Sequence, residues 1–91
     1  DPSALEPSEE LDRRFAVALV RAAMSRAERA CAEQGLTEHW RVFARQARGE
    51  TLRAIGAELG LSESQAHVRT RAAKRRFLAA LADLLEADGV P

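Results

Sequence analysis

A chain of 91 residues with a single cysteine is enough for one modest hydrophobic core and no internal disulfide. Hydrophobic residues make up 46 %, much of it Ala and Leu with no Tyr, which favours helices over strands. No apolar run approaches the roughly 18 residues of a membrane span and nothing resembles a signal peptide, so the expectation is an all-α cytoplasmic protein with no membrane partner. The chain starts with Asp, which reads as a piece of something longer.

Zero net charge hides a strong division. Residues 1–12 carry −5, residues 13–48 carry +5, 49–61 carry −1, 62–82 carry +4 and 83–91 carry −3. Charges more than about 8 Å apart are largely screened at physiological salt, so a local basic surface can still hold phosphate. The expected consequence is weaker non-specific affinity for nucleic acid than a strongly basic domain has.

Residues 1–10, with two prolines and two serines, read as an acidic linker or tail. The competing reading folds this tail over a basic helix as a phosphate mimic. The helical domain is expected over 11–88. Ser8 is placed to cap the first helix, with Glu9 and Glu10 in its first turn, and no Pro or Gly interrupts until Gly35. That helix would be roughly 40 Å long. Leu11, Phe15, Ala18, Leu19, Ala22 and Ala23 form one stripe, continued by Ala27, Ala30 and Cys31, and it reads as a core seam. Val20 and Met24 widen the seam, which leaves a partner helix or a homodimer open.

Thr37 is expected to cap a second helix to about Arg48, with Trp40, Phe43, Ala44 and Ala47 on its buried side. Trp40 and Phe43 bury the most area and should centre the core. Arg41, Arg45 and Arg48 line the other side, either solvated or against phosphates.

The most informative stretch is Thr51 to Arg76. Thr51 caps a short helix in which Leu52, Ile55 and Leu59 share a face. Gly56 sits on its flank, where a larger side chain would hold another helix away. Gly60 is the expected left-handed cap. Ser62 and Gln65 form a capping box opening the next helix, each side chain reaching the other's amide. Two caps this close, between two apolar faces, describe a helix-turn-helix over 51–76. Basic residues follow at Arg69, Arg71, Lys74, Arg75 and Arg76. Beyond them Phe77, Leu78, Leu81, Leu84 and Leu85 repeat at helical spacing, and Asp88, Gly89 and Pro91 end the helix. The expected architecture is four helices, with no strands and no wing.

Ile55, Gly56, Leu59, Gly60, Leu61, Ser62, Glu63, Ser64, Gln65, Ala66, Arg69, Ala73, Lys74 and Phe77 together resemble region four of bacterial sigma factors, particularly the extracytoplasmic-function type. Three positions depart: Thr70 replaces an aliphatic residue, Ala72 an Arg, and Ala66 a larger Val. Thr70 and Ala66 predict loose packing or a shifted register. The resemblance implies a transcription-initiation module that acts as a monomer on the promoter −35 element. Gln65, His67, Val68 and Arg71 would then be the readers. It also implies docking of the first part of region four on the flap of RNA polymerase, with Trp40, Arg41 and Arg45 as contact candidates. Some sigma factors of this type carry a long preceding helix, so the likeness is expected to extend back to about Leu11. An anti-sigma protein is a further expected kind of partner.

If Ala66, Thr70, Ala73 and Phe77 face inward, Glu63, Ser64, His67, Val68, Arg71, Lys74 and Arg75 face out. The DNA-binding candidates are therefore Ser64, Gln65, His67, Val68, Arg71, Lys74 and Arg75, the last two on phosphates. Nothing points to catalysis, a cofactor or a metal: His39 and His67 lie 28 residues apart, Cys31 is alone, and no Gly-rich phosphate loop occurs. The alternatives to a sigma domain are a protein-interaction module on the same scaffold and an ordinary dimeric helix-turn-helix regulator.

Overall fold

Pro7 opens α1 (Pro7–Glu33), the first of four helices in the computed structural model, which describes residues 7–87. Proline is at home in a first turn, where its missing N–H would have no partner anyway. Ser8 therefore lies within the helix instead of capping it, and residues 7–10, expected as linker, are helical. The rest of the acidic tail and the stop at Asp88, Gly89 and Pro91 lie outside the described residues.

Gly35, at φ +74°, ends α1. The Leu36 amide donates to the Cys31 carbonyl at 2.7 Å and the Gly35 amide to Ala32 at 3.2 Å. These two bonds are the pair that closes a helix on a left-handed residue. α2 (Thr37–Ala47) starts with Leu36 in the capping position and no side-chain cap, so Thr37 is its first helical residue and not its cap. α3 (Leu52–Leu59) and α4 (Glu63–Ala87) complete the chain, and no strand occurs among the described residues.

α4 is the element the others share. α1, α2 and α3 all pack on it, α2 also meets α1 and α3, and α1 does not touch α3. α1 and α4 run antiparallel. Arg76 donates to Gln34 Oε1 at 2.9 and 3.1 Å, and further along Arg26 and Ala27 share a groove with Ala80 and Asp83.

The core has two lobes, joined by α2 and α4. In one, Ala27 and Cys31 of α1 meet Trp40, Phe43 and Ala73, with Met24, Leu36, Ala44 and Phe77 at its edge. Phe43 lies between the other two rings, with centroids 5.3 Å from Trp40 and 5.7 Å from Phe77. In the other, Val42 joins Leu52, Ile55 and Ala66, flanked by Leu59 and Leu61. Val42 is fully buried, and the single-face reading of α2 passed over it. The helix is apolar on two faces because it is sandwiched between α1 and α3. Ala47, expected beside Trp40, is exposed.

The seam of α1 departs most from expectation. Ala23, Ala27 and Cys31 are buried, but Leu11 is 66 % and Phe15 49 % exposed, and Ala18 is exposed too. The spacing of the stripe is regular throughout, yet only its second half has a helix to lie against.

Candidate nucleic-acid interface

The turn between α3 and α4 forms as its residues dictate. Thr51 Oγ1 accepts from the Ala54 amide at 3.1 Å and caps α3. Gly60 closes α3 at φ +74°, a conformation costly for any residue with a Cβ. The Leu61 amide returns to the Gly56 carbonyl at 2.7 Å. Gly56 is small because of the turn itself: a Cβ there would stand 2.7 Å from the Leu61 carbonyl oxygen. What it would push away is the turn's backbone, not another helix. Ser62 Oγ accepts from the Gln65 amide at 3.0 Å, and Gln65 Oε1 from the Ser62 amide at 2.8 Å, so the capping box is complete.

From this start α4 keeps one register. Ala66, Thr70 and Ala73 are buried and Phe77 half-buried. Thr70 neither loosens the packing nor shifts the helix. Its hydroxyl donates to Gln46 Oε1 at 2.8 Å, giving a buried polar group the partner it needs and joining α4 to α2.

The opposite face is open. Glu63, Ser64, His67, Val68, Arg71, Lys74 and Arg75 are all exposed, Val68 by 63 %. Among the described residues, Arg71, Lys74 and Arg75 make no ion pair or hydrogen bond within the chain. Three cations, an apolar side chain and small polar groups thus line one helix face beside a buried hydrophobic row. Such a face can place donors and a methyl-sized surface against base edges, with charge towards phosphates.

Two residues of the basic run act differently. Arg76 also donates to the Ala72 carbonyl at 2.8 Å, so with its bonds to Gln34 it ties α4 to the end of α1. Gln65 is exposed, but its Oε1 is held by the capping box. Its amide NH2 alone remains for a base, which removes the two-point reading of adenine that a free Gln offers.

Of the residues expected against a polymerase, only Arg41 stands out from the surface, loosely paired with Glu38 at 3.6 Å. Trp40 is 8 % exposed. The Arg45 guanidinium grips Glu50 at 2.6–3.2 Å and also binds Glu58, clasping α2 to α3 and its approach. That grip raises the Arg45 pKa and holds the Glu50 carboxyl below its ordinary value, chiefly through their shared hydrogen bonds. Cys31 is fully buried, and burial raises its pKa, partly opposed by the charge of Arg76. Among the described residues no three His, Cys, Asp or Glu side chains gather as a metal site would require, and no helix is long and apolar enough to cross a membrane.

Sequence position carries no signal for His39, which the structure places beside Ser64, Gln65, Val68 and Arg69. No family model matches the chain, and neither a curated protein nor a solved structure matches it.

Proposed function

We propose that the chain is a duplex-DNA reader that works in transcription initiation, as the −35-recognising domain of a bacterial extracytoplasmic-function sigma factor. The observation that carries this reading is the outward face of α4, where Val68, Arg71, Lys74 and Arg75 stand free directly after a completed capping box. In this reading α4 enters the major groove. Val68 meets a thymine methyl, Arg71 a base edge, and Lys74 and Arg75 the phosphates. Ser64 and His67 flank the readers, and Gln65 contributes its amide NH2. The partner on the protein side is the RNA polymerase core, with Arg41 as the exposed contact, and a regulatory anti-sigma protein is a further partner. The chain acts on DNA as a monomer and uses no cofactor.

Arg71 tests the assignment. Arg71→Ala is expected to cost roughly 1–3 kcal/mol of binding and to relax preference at one base pair. Equal loss on every sequence would move Arg71 to the phosphates.

One observation favours a second reading, a protein-interaction module. Leu11, Phe15, Val17 and Val20 expose large apolar side chains along the first turns of α1, far more than a lone surface residue requires. Retained sequence-specific binding by the isolated chain would separate the two.

A further inference from the structure

The starts of α2 and α4 meet beside the outward face and enclose an open cup lined by His39, Ser64, Gln65, Val68 and Arg69. Its polar groups can all donate. Arg69 has only donors, Ser64 has a hydroxyl, and Gln65 is left with its amide NH2. Among the described residues no carboxylate lines the cup. Glu38 pairs with Arg41 at 3.6 Å, and Glu63 lies exposed one residue before Ser64.

His39 decides what such a cup is suited to hold. Its Nδ1 is buried and has no partner. A buried N–H without an acceptor is rarer and costlier than an unused lone pair, so the proton belongs on Nε2. The ring then offers an Nε2–H donor. His39 also sits in the first turn of α2, which no side chain caps, so open amides and the positive end of that helix lie beside it. Donors from two helices, one of them a full charge, with no competing carboxylate, suit an oxyanion.

We propose that this cup seats one backbone phosphate of the bound duplex, with Arg69 as its charged clamp and His39 as a second donor. The inference rests on the DNA-reading assignment and adds a contact from outside the helix-turn-helix. A phosphate held between α2 and α4 fixes the depth and angle at which α4 enters the groove, so Val68 and Arg71 arrive at base edges in one register.

The test is a set of anisotropy titrations of the 91-residue chain on its selected duplex across a salt series, comparing Arg69→Gln, His39→Ala and His39→Gln with the unaltered protein. Arg69→Gln should lower the slope of log affinity against log salt by about 0.9, the share of one neutralised phosphate. His39→Ala should weaken binding several-fold on matched and mismatched duplexes alike. His39→Gln, whose amide nitrogen takes the place of Nε2, should recover most of the loss. Melting curves of the three variants show that each is folded at the assay temperature. An unchanged slope for Arg69→Gln, parental affinity for His39→Ala, or no recovery with Gln would overturn the phosphate seat. An unaltered chain that binds no duplex would remove the DNA reading itself.

Discussion

At Thr70 a hydroxyl stands in a row that is otherwise apolar, and its partner settles what that does. Gln46 accepts at 2.8 Å but is itself exposed, so water can replace the lost donor if Thr70 becomes Val. Thr70→Val is therefore expected to change stability by less than about 1 kcal/mol, measured by denaturant unfolding. A loss above about 2 kcal/mol would mean that this bond sets the angle between α2 and α4. Gly56 is the opposite case. A Cβ 2.7 Å from the Leu61 carbonyl must move the turn, so Gly56→Ala should cost about 1–3 kcal/mol although alanine is the better helix former. Ser62→Ala removes one half of the capping box and should cost about 1 kcal/mol. An unchanged melting temperature in that variant would show that the box adds nothing measurable.

The turn was legible at Gly60 and at the capping box because their causes are local, a glycine where φ is positive and a hydroxyl three residues before an amide, whereas the cause of Gly56, a carbonyl of the turn facing it, was not. At the scale of whole elements the reading was less complete, because burial depends on what lies opposite. The apolar stripe of α1 has the same spacing at Leu11 and Phe15 as at Ala27 and Cys31, but a helix covers only the second pair. Phe15→Ser is accordingly expected to leave the melting temperature nearly unchanged, whereas Phe43→Ala should cost about 3–5 kcal/mol. The same logic hid Val42, buried on the second apolar face of α2, and His39, whose neighbours come from a helix more than twenty residues away. Arg45 was expected at a partner surface for want of any sign that Glu50 and Glu58 converge on it. Because this clasp lowers the Glu50 pKa, its contribution is complete above the ordinary carboxyl value of 4.5 and is lost as pH falls through the depressed folded value. Melting curves should show the parent more stable than Glu50→Gln at pH 7, with the gap closing under acid conditions. A gap that is constant with pH would remove the clasp from the account.

Over the whole molecule the charges cancel, yet the cations that matter are those left without partners inside the chain. Arg45 and Arg76 are consumed in holding α2, α3 and α1 in place, while Arg71, Lys74 and Arg75 remain on the open face of α4. The fold thus uses part of its positive charge as internal clasps and presents Arg71, Lys74 and Arg75 together on the open face of α4. A protein built this way should bind DNA weakly in the absence of its sequence and lose that binding quickly as salt rises. The most direct measurement is enrichment of the chain's targets from a pool of random duplex DNA, at low and moderate salt, with Arg71→Ala beside it. The account predicts one short non-palindromic element, recovered at both salts and blurred at one base pair in the variant. A palindrome with half-sites about one helical turn apart would contradict the monomeric sigma reading, and no enrichment at either salt would contradict DNA recognition as the purpose of this face.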